Sequence, residues 1–501
     1  MFLKCMTIGH RARGHRVISY RIIRSLVIGS LVIGSLFIGS LITGYLTMTS
    51  LPPGLSYAGQ YRPTSQVYFL HDDTWVDHEA RRRVHQTIFD EVFRLISSAQ
   101  KFILIDMFLY NDFQGQSPEY TRRLAAELTS LLIARQQSFP DMTIIVITDP
   151  VNTVYGGLNS IHFDALREQG ITVVMTDLDL LPDSNLAYSL IWRLLIKPFG
   201  NGQAQTLPNP FGAGRVSIRS WLRLINFKAN HRKVVICDQG DSYLGLVTSG
   251  NPHDGSSAHR NVALVFDGDA VADLWHTEAA ILALQGIPIP TFALPGSIAL
   301  RVPSGSQQEL RVLTEGRIKE ALLMQLNSVQ PGDSVDLMMF YLSDRQVIQA
   351  LKRAAEAGVT VRLILDPNKD AFGFKKNGIP NRPVARELQA AGIPVRWCDT
   401  HGEQCHVKMI ILHRNMGISE LMLGSANITR RNLDNFNLET NVQFRGPRTN
   451  QALQQAARMF DTYWHNEDGR LFTVPFDHYR EDSRLKYWLY RFQEATGMSA
   501  F

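Results

Sequence analysis

NHRKVVICD (230–238) and CHVKMIILH (405–413) are one pattern written twice. Each places a histidine two residues before a lysine and follows them with an apolar run of strand length. On a strand, residues two apart share a face. The surrounding sequence repeats in the same order. KFILIDMFLYND (101–112) returns as DSVDLMMFYLSD (333–344), DMTIIVITDP (141–150) as GVTVRLILDP (358–367), and VTSGNPHD (247–254) as LGSANITR (423–430). Such internal similarity is the signature of duplicated structural units.

Within each copy, apolar β-branched runs alternate with helical stretches such as 83–98 and 345–357. This predicts an α/β fold whose sheets are covered on both faces. The expected architecture is two similar α/β/α sandwich units, at 60–285 and 301–501, packed about a pseudo-twofold. A proline-bearing linker at 286–300 joins them. Equivalent motifs would then meet at the interface, as in an isologous contact. Only the first unit carries an insertion, at about 180–226, which includes LAYSLIWRLLIKPFG (186–200). Its aromatic, apolar and basic mixture fits either a membrane-interface segment or a helix packed on its own domain. LKYWLYRF (485–492) poses the same question.

The chain has 501 residues, of which 45% are hydrophobic and 19% charged, with a formal net charge of +5 and four cysteines. That is a globular composition, not a disulfide scaffold, and too mildly basic to indicate nucleic acid by itself. The N-terminus stands apart. Residues 1–24 carry basic residues and no acid, and LVIGSLVIGSLFIGSLITGYLTM follows at 26–48. A helix of that length, roughly 35 Å, can cross a hydrocarbon core. The expectation is a basic cytoplasmic end at 1–24 and an N-terminal transmembrane helix, a signal-anchor, at 25–50. The body of the chain would then lie on the outer, periplasmic side of a bacterial inner membrane.

The paired motifs carry chemistry. Lys233 precedes Asn251 of TSGN by 18 residues, and Lys408 precedes Asn427 of GSAN by 19. Each half therefore supplies an imidazole, an ammonium and a carboxamide in register. A neutral imidazole can attack phosphorus. A second, protonated, can donate to the leaving oxygen and then activate the incoming water or alcohol. Two lysines and two asparagines can neutralise and orient phosphoryl oxygens. One half alone has one histidine, so the mechanism requires both.

This pattern resembles the phospholipase D superfamily, with its duplicated HxKx4D motifs, and within it the bacterial cardiolipin synthase-like proteins. HRKVVICD at 231–238 matches fully. HVKMIILH at 406–413 departs at His413, where the family has Asp. The resemblance implies His231, Lys233, His406 and Lys408 as catalytic residues, with His231 the nucleophile and His406 the general acid/base. Asn251, Asn427, Ser425, Asp238 and Glu439 would support substrate or histidine. It implies no metal or cofactor, a phospholipid substrate at a membrane, and water or an alcohol as acceptor. Nucleic acid is the disfavoured substrate, and the oligomeric state stays open.

A carboxylate that orients the histidine often follows GSxN in this family. Glu439 lies 12 residues after Asn427, whereas the same count from Asn251 reaches Ala263. One copy keeps the Asp and lacks the Glu; the other has the reverse. Asp238 and His413 read as braces at strand ends, and Asp149 and Asp366 as turn acids. The spacing C-x2-H-x3-C-H of Cys398, His401, Cys405 and His406 admits zinc, or a short disulfide between the cysteines in an exported domain. Two further readings remain: a nuclease using the same chemistry, and a non-catalytic membrane scaffold.

Overall fold

Each histidine motif feeds the middle of a mixed sheet, and there are two such sheets. In this computed structural model residues 50–115, 121–200, 204–290, 308–371 and 374–498 are described. The expected cytoplasmic end and transmembrane helix lie outside them, apart from positions 29, 31, 34, 35 and 50, and so does most of the linker. No helix among the described residues is long and apolar enough to cross a membrane.

The first sheet runs Arg82–His85, Val67–Val76, Asn261–Phe266, Ser242–Thr248, Lys233–Gln239, Phe102–Met107, Thr143–Thr148, Thr172–Met175. The second runs Arg62–Pro63, Glu309–Thr314, Thr440–Pro447, Ile418–Gly424, Lys408–His413, Ser334–Met339, Thr360–Leu365, Val395–Cys398, Thr473–Pro475. Without the outermost strands the two orders coincide. In each, the strand after the histidine motif is antiparallel to both neighbours, and parallel pairing begins one strand further out. Strand Arg62–Pro63 precedes the first sheet in sequence yet pairs with Glu309–Thr314 of the second.

Both faces of the central strands are buried, which is why Phe102–Met107 and Lys233–Gln239 read as nearly unbroken apolar runs. Helices Ile88–Ser98, Leu124–Ser138 and Ile161–Glu168 supply residues to a core on one face of the first sheet. Gly316–Asn327, Arg345–Glu356 and Asn381–Ala390 do the same for the second. The inner faces share one core, which also takes side chains from Asp269–Leu284 and Gln451–His465. Residues 51–501 thus form one compact unit, and a site built between the sheets has a rigid frame.

The ends of the two motif strands differ. Asp238 is buried and accepts the backbone N–H groups of Gln100, Lys101 and Phe102 at 2.8–3.1 Å. It therefore pins the entry to the neighbouring strand. His413 instead meets Ser419 Oγ at 2.8 Å and Asp336 at 3.9 Å, and is only partly buried. Asp238→Ala strands several N–H groups and is expected to lower unfolding free energy by about 3 kcal/mol. His413→Ala should cost less than about 1 kcal/mol. Denaturant titration of the two variants measures the difference.

Candidate active site

The two motif turns are held in the same way. Asp149 accepts the N–H of Asn230 at 2.8 Å, and Asp366 accepts that of Cys405 at 2.8 Å. The second oxygen of Asp149 is tied down by Val151 N, while Oδ1 of Asp366 takes Asn368 N, both at 2.7 Å. These acids, read as turn formers, fix the residue before each histidine. His231 lies 4.7 Å from the Phe108 ring and His406 5.0 Å from Phe340. Lys233 donates to the His231 carbonyl at 2.7 Å, and Lys408 to that of His406 at 2.8 Å. Each ammonium also stands about 5 Å from the same phenylalanine ring.

The halves then exchange partners. His231 N donates to Leu438 O, and Arg260 N donates to Gln404 O. Asn230 bridges to Leu438, and Cys405 to Arg260. The residue after each bridge therefore arrives beside the other half's histidine. Glu439 Oε2 is 3.0 Å from His231 Nδ1 and also accepts from Ser425 Oγ at 2.5 Å, while Asn432 Nδ2 donates to its other oxygen. On the opposite side, Asn261 Oδ1 is 3.2 Å from His406 Nδ1 and accepts from Ser249 Oγ at 3.1 Å. Asn261 is thus the counterpart of Glu439. Counting 12 residues to Ala263 misses it, because the connection after Asn251 is two residues shorter than that after Asn427.

Both imidazoles line one cavity of about 390 Å³ together with Asn251, Asn427, aromatic residues that include Phe108, Phe113 and Phe340, and the basic Lys228, Lys376 and Arg431. Asn251 Oδ1 is taken by Leu109 N at 3.1 Å, which leaves its NH₂ as a donor. Asn427 Oδ1 is buried without a hydrogen-bond partner among the described residues. Lys233 and Lys408 stand behind the histidines and are buried. Burial lowers the His231 pKa to about 4, against the pull of Glu439, and lowers Lys233 to about 7. Burial and neighbouring positive charge push His406 and Lys408 well below their usual values. Burial opposes ionisation of Glu439, but His231, Lys233 and Ser425 outweigh it, and its pKa falls.

The zinc set does not assemble. Cys398 and Cys405 are joined in a disulfide, and His401 Nε2 meets Asp399 at 2.8 Å.

The family model "Cardiolipin synthase, PLD-like domain" matches residues 322–464, the stretch that carries His406, Lys408, Asn427 and Glu439. Residues 322–464 thus resemble a phospholipase D-like domain. The chain is similar to a cardiolipin synthase of Listeria welshimeri, 27% identical over 262 residues, which is 49% of this chain and 51% of that one. A cardiolipin synthase of Geobacillus thermodenitrificans is 25% identical over 247 residues, 46% of this chain and 45% of that one. The matched chain thus spans about half the length of these curated relatives. The fold is also similar to that of phosphatidylserine synthase from Haemophilus influenzae Rd KW20. That comparison has a TM-score of 0.50 at 11% identity and covers 92% of this chain and 98% of the other.

Proposed function

We propose that this phospholipase D-like chain is a cardiolipin synthase-type phosphatidyltransferase or phospholipase D, working without a metal through a phosphohistidine. The observation that carries the reading is the placement of two imidazoles, one from each half, in one aromatic-walled cavity, each backed by its own lysine. With Nδ1–H of His231 given to Glu439, its Nε2 lone pair is the nucleophile. It bonds to phosphorus as the P–O bond to the leaving alcohol breaks, and protonated His406 gives that oxygen its proton. Neutral His406 next takes a proton from water or an acceptor hydroxyl. That oxygen attacks phosphorus, and the P–N bond to His231 breaks. Lys233 and Lys408, with the Asn251 amide, offset charge on the phosphoryl oxygens.

Although Lys228, Lys376 and Arg431 also line the cavity, its apolar and aromatic wall favours lipid, since such residues accept glycerol and acyl carbons where a nuclease needs a continuous basic stripe. The disulfide suits an oxidising compartment, in line with a membrane-anchored domain facing the periplasm. Purified full-length protein given phosphatidylglycerol should release glycerol and form cardiolipin, or phosphatidic acid if water is the acceptor. Absence of turnover on every phospholipid would remove this reading. Salt-sensitive DNA cleavage would install the nuclease in its place.

Burial disfavours the charged forms of Lys233, Lys408 and His406, so an arriving phosphodiester anion must draw protons onto them. Its charge favours the protonated forms of Lys233, Lys408 and His406, raising pKa values that burial had lowered. Binding of the singly charged diester glycerophosphoglycerol at pH 7 is therefore expected to take up about one proton. Calorimetry in two buffers of different ionisation enthalpy measures this; proton release would contradict the charge state described.

A further inference from the structure

The helix Arg484–Thr496 has a buried face and an apolar face left in water. On the buried side, Tyr490 Oη meets Arg345 at 2.6 Å, and Glu494 accepts from Ser343 Oγ and Arg430 N. On the other side Leu485, Trp488, Leu489 and Phe492 follow the i, i+3, i+4, i+7 spacing of one stripe. They are 79%, 66%, 39% and 54% exposed. Scattered apolar residues need no explanation, but a continuous stripe does. Apart from the buried Glu494, every charged residue of this helix is basic: Arg484, Lys486 and Arg491.

The helix is fixed at both ends to elements of the catalytic cavity. Near its start, Lys486 donates to the carbonyl of Asn377, the residue after cavity-lining Lys376. Near its end, Arg430 donates to Ala495 O, next to cavity-lining Arg431. Gly497, at φ +74°, lies so close to the Ser184 carbonyl that a Cβ there would meet it at 1.8 Å. Ser184 leads into the insertion, whose Phe211 and Leu224 line the same cavity. The insertion buries Trp192 but leaves Leu195 and Phe199 66% and 84% exposed. Residues 183–226 carry five basic side chains and one acid.

We infer that the C-terminal helix stripe and the outer side of the insertion together dock on an anionic phospholipid bilayer and set the cavity mouth against it. Leu485, Trp488, Leu489 and Phe492 enter the acyl boundary, and Arg484 and Arg491 sit at headgroup level. This occupant matches the charge: a basic rim attracts anionic headgroups, whereas a second copy would oppose the same basic rim to itself. The disposition also shortens the route of a membrane-resident substrate to His231. It rests on the phospholipid reading above and adds the surface through which lipid is reached.

The test uses full-length protein reconstituted in phosphatidylethanolamine–phosphatidylglycerol vesicles, and has two arms. In the first, brominated acyl chains quench tryptophan fluorescence, and the Trp488 contribution is the part lost in Trp488→Phe. That part should be quenched by more than about half, since acyl contact is what the docking predicts; no quenching overturns the inference even where no turnover is seen. In the second, Trp488→Ser combined with Phe492→Ser should lower the rate on vesicles on the order of tenfold. The rate on monomeric short-chain phosphatidylglycerol should stay unchanged. An equal loss on both substrates, or a protein dimer that Trp488→Ser dissociates, would assign the stripe to another role.

Discussion

Replacing His231 by alanine is expected to lower phospholipid turnover by at least about 10⁴-fold, because the proposed covalent intermediate forms on this imidazole. Radiolabelled phospholipid should leave no acid-labile, alkali-stable label on the variant. His406→Ala should behave differently. Loss of a general acid costs about 10²–10⁴-fold with an ordinary alcohol as leaving group. A p-nitrophenyl phosphodiester, whose leaving group needs no proton, should recover much of the first step. Label should then accumulate, since the neutral imidazole that activates the acceptor is gone. The assignment follows from the partners: His231 faces the Glu439 carboxylate, which favours a strong nucleophile, and His406 faces the Asn261 carboxamide, which adds no charge. Labelling of His231→Ala but not His406→Ala would exchange the two roles. Parent-like rates in both variants would favour a scaffold.

Much of this site was legible in the sequence because the duplication itself carries the information. The fixed interval between histidine and lysine, and the nearly constant one from lysine to asparagine, come from a strand, a turn and a strand, and such local geometry survives in sequence. The positions of His231, Lys233, His406, Lys408 and Asn427 needed nothing more. Asp238 and His413 could be read as braces for the same reason. Asn261 was hidden. Its register is set by the pairing of Ser249 with Val262 across a connection two residues shorter than its twin, so a fixed count slides onto Ala263. The exchange of Glu439 and Asn261 between halves was hidden too, since it depends on contacts 208 and 145 residues apart. The insertion shows a different limit. Its apolar residues look alike in sequence, yet Trp192 is in the core and Phe199 is in water. Which side a short helix presents depends on what it packs against, and periodicity over so few turns does not contain that.

Glu439→Gln should cost about 10³-fold in kcat/KM, a penalty in the range seen when a histidine loses the acid that fixes its tautomer. Three donors converge on this buried carboxylate: His231 Nδ1–H, Ser425 Oγ–H and Asn432 Nδ2–H. A glutamine has one acceptor oxygen and an NH₂ that must face one of those donors. The network cannot be satisfied, and the His231 ring is free to turn its other nitrogen inward. Asn261→Ala should be milder, about 10–100-fold, because it removes one neutral hydrogen bond from His406. Asn261→Asp separates positioning from simple packing. A carboxylate at that point keeps the contact but favours the imidazolium, so the His406 pKa rises. The basic limb of the pH–rate profile should then move to higher pH while Asn261→Ala leaves it in place. If both variants lose the same activity with the same profile, Asn261 only fills space. If Asn261→Asp alone shifts the limb, the halves differ by design: a charged brace for the imidazole that bonds phosphorus, and a neutral one for the imidazole that must both give and take a proton.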